Sequence, residues 1–401
     1  MFLRFLLHFT FDILHFMIVL YCISLFFIVV YSRLIIFYRQ SWLSIPEFFI
    51  STKEINHTKI SVIIPARNEE ENIGICLSSI LHQSYPANLF EVIVVDDHST
   101  DATASIVQSF ATNNVKLISL RDFTDGTVLN SYKKKAIDIA IQQSSGILIV
   151  TTDADCIVPK TWLQTIATFY EKNDPAFIAA PVAYCNENSF LKIFQSLDFI
   201  TLQGITGASV YKKFHSMCNG ANLAYERKAF DEVNGFKGID SIASGDDMLL
   251  MHKIYQRYPE RVLFLKSTQA IVETQAMETL TDFFNQRIRW ASKSDKFDDK
   301  RIFWVLVLVY FFNVWLFLLA ALGVIGLIGY HSSTMLWLLL YLFVLKVIIE
   351  LFFIYPVASF FSKEKIVSWF TFSQPFHIVY TIIAGWLGKF GSYKWKERKV
   401  R

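Results

Sequence analysis

The stretch that decides the fold is GILIVTTDADC (residues 146–156), in which an apolar run leads into two carboxylates one residue apart. The run from Gly146 to Val150 has the length and composition of a buried strand. Asp153 and Asp155, crowded at its end, repel each other and resist ionising unless a cation joins them. The stretch therefore predicts a strand that carries a divalent-metal site.

Short apolar strands and amphipathic helices alternate around this stretch. Residues 60–64 (ISVII), closed by Pro65, and residues 91–95 (EVIVV) are typical of strands. Between them, apolar residues recur at the spacing of one helix face: Ile73, Cys76, Leu77, Ile80 and Leu81. The alternation continues in three further segments: a helix over 102–110, a strand over 115–120 and a helix over 133–142. It predicts an α/β fold with a mostly parallel sheet covered on both faces.

Two acidic turns fall at the ends of predicted strands. Asp96 and Asp97 follow one strand, and Asp153 and Asp155 follow another. Taken alone, either turn has an ordinary interpretation, because Asp is a common turn and helix-cap residue. In open sheets of this kind, however, ligands bind beyond the carboxyl ends of the strands, and both turns lie at that edge. The sequence contains no G-x-G-x-x-G and no G-x-x-x-x-G-K-S/T, which disfavours a dinucleotide dehydrogenase and a P-loop enzyme.

The composition is that of a membrane protein. Of the 401 residues, 53% are hydrophobic and 18% are charged, whereas soluble domains carry about 25% charged residues. Three segments exceed the roughly 20 apolar residues that span a bilayer: 13–38, 302–329 and 335–361. A fourth segment, 366–388, is long enough but contains Pro375 and several polar residues, so we expect it to lie in the membrane interface or to re-enter.

These segments divide the chain into predicted parts: an N-terminal transmembrane anchor (1–40), a cytosolic domain (41–300), C-terminal transmembrane or interfacial helices (301–388) and a basic cytosolic tail (389–401). Arg33 and Arg39 follow the anchor, and by the positive-inside tendency they place the large domain in the cytosol. We therefore expect a multi-pass protein of the cytoplasmic membrane. The net charge of +3 indicates no nucleic-acid partner, and the five cysteines form no C-x-x-C pair that would predict a zinc site.

Six motifs follow one another over about residues 59–295: SVIIPARNEEENIGICLSSILHQSYP, EVIVVDDHSTDAT, TTDADC, NGANLAYERKAF, SGDDMLLM and QRIRW. This ordered set resembles the membrane-bound glycosyltransferases of family 2, which include the cellulose, chitin, hyaluronan and poly-N-acetylglucosamine synthases. The resemblance implies a GT-A fold, a nucleotide-sugar donor, and Mg²⁺ or Mn²⁺ as cofactor. It also implies that Asp97 contacts the base of the donor, and that Asp153 and Asp155 form the D-x-D pair that binds the metal and the donor, with Asp155 the more direct metal ligand.

The resemblance further implies roles for a lysine and for the GDD motif. Lys133 falls where the family places a lysine near the diphosphate, although Tyr132 replaces a common glycine and leaves the register among Lys133 to Lys135 open. Asp247 aligns with the family's catalytic base, and Asp246 replaces a frequent glutamate and borders the substrate.

Separate carboxylates are what such chemistry needs. Inverting glycosyl transfer passes through an oxocarbenium-like transition state and requires a base on the face opposite the leaving group. A nucleoside diphosphate needs charge neutralisation instead of protonation, a task that suits a cation held by one or two carboxylates and the substrate's own phosphates. One base, one metal pair and one nucleotide ligand are therefore expected, and Asp247, the D-x-D pair and Asp97 supply them.

The QRIRW motif places Gln286, Arg289 and Trp290 at i, i+3 and i+4, on one helical face. An arginine can bind phosphate oxygens with two parallel hydrogen bonds, and a tryptophan offers a flat face to a sugar ring. The alternative interpretation is an interfacial anchor before a membrane span. The resemblance favours substrate binding, because this motif accompanies processive synthesis in the family and also occurs in some enzymes that act on lipids.

Two further polar sets have open interpretations. Lys346 and Glu350 lie four residues apart inside a predicted span, either along a path for a growing glycan or as a self-satisfied pair. The amides of Asn219 and Asn222 either border the acceptor site or form a polar turn.

The sequence as a whole predicts an inverting, metal-dependent membrane glycosyltransferase that moves a sugar from a nucleotide-sugar, in the first place a UDP-sugar, to a growing glycan. The first alternative is transfer of a single sugar to a lipid acceptor, such as a polyprenyl phosphate or a ceramide-like lipid. The second is a non-catalytic membrane scaffold that binds nucleotide-sugars, which the simultaneous presence of Asp97, Asp155, Asp247 and Arg289 disfavours. Membrane lipids are expected partners, and accessory subunits are left open.

Overall fold

The computed structural model describes residues 2–51, 54–111, 114–124, 130–242, 245–292, 299–390, 393–395 and 398–400, with side chains between residues 15 and 390. Its strands are β1 (Ile60–Ala66), β2 (Phe90–Asp96), β3 (Val115–Ser119), β4 (Leu148–Thr151), β5 (Phe177–Ala179), β6 (Val182–Cys185), β7 (Leu223–Glu226), β8 (Val262–Phe264), β9 (Val272–Gln275), β10 (Tyr393–Trp395) and β11 (Arg398–Val400). Its α-helices are α1 (Phe2–Ser44), α2 (Ile73–Leu81), α3 (Thr103–Ser109), α4 (Tyr132–Gln142), α5 (Trp162–Asn173), α6 (Phe190–Tyr211), α7 (Arg227–Glu232), α8 (Asp246–Arg257), α9 (Leu280–Ala291), α10 (Lys300–Tyr330), α11 (Thr334–Phe360) and α12 (Phe370–Phe390).

The central sheet has seven strands in the order β3-β2-β1-β4-β7-β5-β8. β1 pairs in parallel with β2 and β4, and the pairs β2–β3 and β5–β8 are also parallel. β7 runs antiparallel between β4 and β5. Every residue of β4 is buried, as expected when helices cover both faces of a sheet. The predicted α/β fold with a mostly parallel sheet is confirmed.

β1 continues through Pro65, so the prediction that this proline closes the strand was wrong. Pro65 is paired in register with Val95 of β2, whereas the pairing of β1 with β4 stops at Ile63. Beyond Ile63, the flank of β1 toward β4 carries no paired residue, and the missing N–H of proline there removes no ladder bond. β1 therefore reaches the carboxyl edge of the sheet as far as Ala66.

Three helices within the described ranges are long and apolar enough to cross a membrane: His15–Ser44 of α1, Lys300–Tyr330 and Thr334–Phe360. They coincide with the three predicted spans. The fourth predicted segment forms a 3₁₀ helix (Glu364–Trp369) followed by α12, which contains Pro375 and packs against α9 and α10. This helix does not have the composition of the other three.

α1 continues beyond the predicted end of the anchor and enters the core of the α/β region. Tyr38 and Trp42 are each 1% exposed. The Trp42 ring packs edge-on against Phe264 of β8 and Phe360 of α11, with ring centroids 6.1 and 5.3 Å apart. The Tyr38 hydroxyl lies 3.0 Å from His215 Nε2. The last turns of α1 thus join the membrane helices to the sheet region through buried side chains.

The two charges inside α11 are paired with each other. Lys346 Nζ lies 2.7 Å from Glu350 Oε1 and donates to Gln374 Oε1 of α12 at 2.5 Å. Tyr31 of α1 donates its hydroxyl to Glu350. Because Lys346 is fully buried and its ammonium is bonded within the protein, these contacts match the interpretation of a self-satisfied pair.

Candidate active site

Asp97 lies just beyond the carboxyl end of β2. Its N–H donates to the carbonyl oxygen of Ala66 at 2.8 Å, which fixes the turn against the end of β1. Its buried carboxylate has Oδ1 3.0 Å from His98 Nδ1 and 3.9 Å from Arg67 Nη1. The His98 ring meets the Tyr132 ring edge to face at 5.8 Å, so the end of β2 and the start of α4 are in contact.

Asp153 and Asp155 follow β4 at the same edge of the sheet, as predicted. Both are half-buried, whereas Ala154 and Cys156 are buried. The Cys76 thiol contacts the carbonyl oxygen of Asp153 at 3.7 Å and helps to fix the loop from beneath. This alternation anchors the loop by its apolar residues and leaves both carboxylates accessible.

Lys133, in the first turn of α4, reaches the acidic edge. Its Nζ lies 2.7 Å from Asp153 Oδ1 and 3.4 Å from Asp246 Oδ2. The next residue, Lys134, is buried and donates to two backbone carbonyl oxygens within segment 239–242. The start of α4 at Tyr132 therefore sets a rotation in which Lys133, and not Lys134, joins the carboxylates.

Asp246 and Asp247 open α8 directly after Gly245, whose φ of +79° is readily available only to glycine. Asp247 Oδ2 accepts the N–H of Gly220 at 3.1 Å. A methyl group placed on Gly220 would lie 3.4 Å from Lys133 Nζ, 3.6 Å from Asp247 Oδ2 and 3.7 Å from Asp246 Oδ2. Residues from three separate parts of the chain thus converge on one small volume.

The electrostatics of this cluster keep Lys133 charged. Burial alone would lower the pKa of the Lys133 ammonium, but the Asp153 and Asp246 carboxylates outweigh it and raise the pKa above its ordinary value. Asp153, Asp246 and Asp247 all act on the Lys133 ammonium, so one cationic side chain is coupled to three carboxylates at this edge.

The donor atoms at this edge suit a hard divalent cation. The thiols behind the D-x-D loop, Cys76 and Cys156, stay protonated because burial, and then the two carboxylates of the loop, raise their pKa. Among the residues that the structure describes, no three His, Cys, Asp or Glu side chains form a ready-made metal site.

Gln286, Arg289 and Trp290 lie on α9, as predicted. Gln286 Oε1 lies 3.4 Å from the Tyr184 hydroxyl, which donates to it. Arg289 and Trp290 are half-buried. Trp290 packs against the hydrophobic cluster that includes Ala154 of the D-x-D loop, so the motif is joined to the acidic edge through the core.

Sequence reasoning missed an ion pair behind this motif. Arg287 is 3% exposed, with Nη2 2.8 Å from Asp198 Oδ2 of α6 and its guanidinium 4.2 Å from the Trp290 ring centroid. The Tyr380 hydroxyl of α12 donates to Asp198 at 2.8 Å. Two signals were present in the sequence: Arg287 stands four residues after Phe283, and Asp198 is the one acidic residue in the mostly apolar segment of α6.

The amide of Asn222 belongs to the interior and not to an acceptor site. It is fully buried, donates to the carbonyl oxygens of Pro181 and Ala270 at 2.8 Å each, and accepts from Trp162 Nε1 at 3.0 Å. Asn219 Oδ1 accepts the N–H of Ala221. The interpretation of Asn222 as a sugar ligand was wrong, because its hydrogen bonds tie loops together.

Comparison with known proteins agrees with this geometry. The model of Glycosyl transferase family 2 matches residues 61–233. The model of Glycosyl transferase family group 2 matches residues 148–349, about half of the chain. The two matched ranges contain all the candidate site residues from Asp97 to Trp290.

Individual relatives cover parts of the chain. Glycosyltransferase AglE of Haloferax volcanii is 38% identical over 107 residues, 26% of this chain and 33% of its own length. The poly-β-1,6-N-acetyl-D-glucosamine synthase of Staphylococcus epidermidis is 24% identical over 272 residues, 64% of this chain and 62% of its own length. The chain thus spans less than two thirds of either relative.

A solved structure shares the fold over most of the chain. The mannosyltransferase PcManGT from Pyrobaculum calidifontis, solved in complex with GDP-Man and Mn²⁺, superposes with a TM-score of 0.55 and 17% identity, covering 92% of this chain and 97% of that protein. It supports the GT-A fold. The family matches, together with the ordered acidic motifs, lead to one conclusion: the chain belongs to glycosyltransferase family 2.

Proposed function

We propose that this enzyme transfers a sugar with inversion from a nucleotide-sugar, with a UDP-sugar as the expected donor, to a growing glycan at the membrane. The observation that carries the proposal is the convergence of Lys133, Asp153, Asp246 and Asp247 at the carboxyl edge of the sheet. The name of the Staphylococcus epidermidis relative, a polysaccharide synthase, supports a glycan as product.

Each part of the donor has a proposed partner at this edge. Asp97 would bind the nucleobase end, and Lys133 would bind the diphosphate. Asp153 and Asp155 would hold Mg²⁺ or Mn²⁺, which when bound neutralises the charge that develops on the departing diphosphate. Asp246 would border the sugar, a role supported by the 3.4 Å distance between its Oδ2 and Nζ of Lys133, the proposed diphosphate ligand.

Asp247 is the proposed base. It would accept the proton of the acceptor hydroxyl while the oxygen of that hydroxyl bonds to the anomeric carbon and the bond from that carbon to the diphosphate breaks. The N–H of Gly220 holds one oxygen of Asp247 in place. Gln286, Arg289 and Trp290 would bind the acceptor sugar or the diphosphate from α9.

The membrane arrangement follows the predicted parts of the chain. We place the anchor at residues 1–40, the catalytic domain at 41–300 on the cytosolic side of the cytoplasmic membrane, helices at 301–388, and the basic tail at 389–401. Arg33 and Arg39 support this orientation. The mixed polarity of α12 supports a position in the membrane interface, which would return the tail to the cytosol.

A single sugar transferred to a lipid is the second candidate. It is favoured by the Lys346–Glu350 pair, because the polar atoms of these residues are bonded to each other, to Gln374 and to Tyr31 and are therefore engaged within the protein. Product size separates the two candidates: a polymer or ladder indicates chain extension, and one sugar on a lipid indicates the second candidate.

Nucleoside diphosphate release by the full chain in lipid nanodiscs tests the proposal. UDP- and GDP-sugars are supplied with Mg²⁺ or Mn²⁺ and extracted membrane lipid. We expect Asp247→Asn to bind donor nearly normally and to lose at least about a thousandfold in turnover, the size of effect expected for a lost catalytic base. Asp155→Ala should weaken donor binding only when the metal is present. Near-normal turnover by Asp247→Asn, or unchanged metal dependence in Asp155→Ala, contradicts the assigned roles.

A further inference from the structure

The ammonium of Lys133 lies among the carboxylates that are assigned above to the metal ion and the substrate. It lies 2.7 Å from Asp153 Oδ1, within the D-x-D pair, and 3.4 Å from Asp246 Oδ2, beside the proposed base. The Lys133 side chain is 25% exposed, so it is reachable by a ligand but not free in solvent. One side chain thus links the proposed metal site to the first turn of α8.

The two lysines that follow Lys133 interact with other groups. Lys134 is committed to backbone carbonyls on the far side of α4. Lys135 acts on a different carboxylate, Asp138, one turn further along the helix. Gly220 carries no side chain and lies close to the ammonium: a methyl group placed on Gly220 would lie 3.4 Å from Lys133 Nζ.

Two cations that bind the same carboxylate repel each other. While Lys133 is bonded to Asp153, a divalent ion that approaches the D-x-D pair meets the repulsion of the ammonium and must compete for the same oxygen. A diphosphate changes this balance, because its oxygens are better partners for an ammonium than an already shared carboxylate. When the donor binds, the Lys133 ammonium can therefore exchange the carboxylates for the oxygens of the diphosphate.

We propose that Lys133 is a positioning residue that holds Asp153 and Asp246 together before the donor arrives and moves from the carboxylates to the diphosphate when it binds. This inference rests on the proposed function. Its consequence is that the metal ion alone binds weakly, and that the metal ion and the nucleotide each strengthen the binding of the other by the same factor, as linkage requires.

The test measures Mn²⁺ binding and not turnover. Free Mn²⁺ is followed by electron paramagnetic resonance during titration of the full chain in nanodiscs, with and without UDP or GDP. We expect nucleotide to tighten Mn²⁺ binding by the wild type at least about tenfold, within the usual range of coupling between two ligands. Lys133→Gln should bind Mn²⁺ without nucleotide at least about tenfold more tightly than the wild type and gain less from UDP.

Two control variants make the outcome specific. Lys135→Gln removes the same charge from the same helix and should behave like the wild type. Lys133→Arg keeps the charge and should keep the weak binding of Mn²⁺ alone, which also guards against a folding defect in Lys133→Gln. Cooperative binding by the wild type with no gain of nucleotide-free affinity in Lys133→Gln overturns the inference and leaves the proposed function intact. No Mn²⁺ binding by the wild type even with UDP or GDP overturns both.

Discussion

The ion pair inside α11 gives the sharpest test of how the membrane helices are held together. Lys346→Met removes an ammonium that is 1% exposed and leaves Glu350, 11% exposed, with the hydroxyl of Tyr31 as its remaining partner. Gln374 Oε1 loses its donor at the same time. The substitution hardly changes side-chain length, so it perturbs charge and hydrogen bonding far more than packing.

The magnitude follows from those partners. Removing one member of a buried ion pair destabilises a protein by about 3–5 kcal/mol, because the other charge stays buried and uncompensated. In Lys346→Met/Glu350→Gln, no buried charge is left without its partner and the new amide can accept from Tyr31, so we expect a loss of only about 1 kcal/mol, the size of one net hydrogen bond. The coupling is the sum of the losses of the two single variants minus the loss of the double variant, so it should be at least about 2 kcal/mol.

A double-mutant cycle measures this coupling, from denaturant unfolding of the two single variants and the double variant in mixed micelles. If Lys346→Met loses less than about 1 kcal/mol, the pair does not carry the stabilisation inferred from its geometry. The stable double variant also tests the other interpretation of these residues, in which they lie along a path for a growing glycan. A normal rate of nucleoside diphosphate release with a much shortened product would show that the pair contacts the glycan.

Two further predictions concern buried groups outside the proposed catalytic cluster. Asp198→Asn leaves the Arg287 guanidinium buried beside a neutral amide, so we expect about 1–3 kcal/mol of destabilisation. Because Arg287 also supports Trp290, the acceptor KM should rise by a larger factor than kcat falls. Asp198→Glu should restore part of the KM, and equal effects on KM and kcat would contradict a positioning role. Burial lowers the pKa of His215 from 6.5 to about 4. The contribution of neutral His215 to the free energy of unfolding is therefore complete above pH 6.5 and is lost as the pH falls towards 4, and about 2 kcal/mol of it is lost by pH 5. Melting temperatures at pH 7.5 and 5 should therefore differ less for His215→Gln than for the wild type, and an equal drop in both would refute the assignment.

The parts of the fold that could be predicted are those where local pattern and burial agree. Strands β1, β2 and β4 are short apolar runs buried on both faces, and α2 shows its buried face in the spacing of Ile73, Cys76, Leu77 and Ile80. β7 was not predicted, because four residues (LAYE) carry no period and only the tertiary pairing with β4 and β5 makes them a strand.

The candidate site shows the same division. The D-x-D carboxylates could be found because they stand at the end of a recognisable strand, and the GDD carboxylates could be found through the resemblance of their motif to family 2. The choice of Lys133 over Lys134 could not, since it depends on α4 starting at Tyr132, and a helix start is uncertain by a residue or two from sequence alone. The pairing of Arg287 with Asp198 joins α9 to α6 through space, and no pattern along the chain contains that contact.

The burial of Trp42 at the end of α1 has a geometric consequence. The 30-residue apolar part of α1 is about 45 Å long, whereas the hydrocarbon layer is about 30 Å thick. The part of α1 that exceeds this thickness includes Trp42, whose ring packs against Phe264 and Phe360. We therefore expect the sheet to keep a nearly constant distance and orientation relative to the membrane. On that expectation, the acceptor moves to the catalytic edge, and the edge does not move to the acceptor.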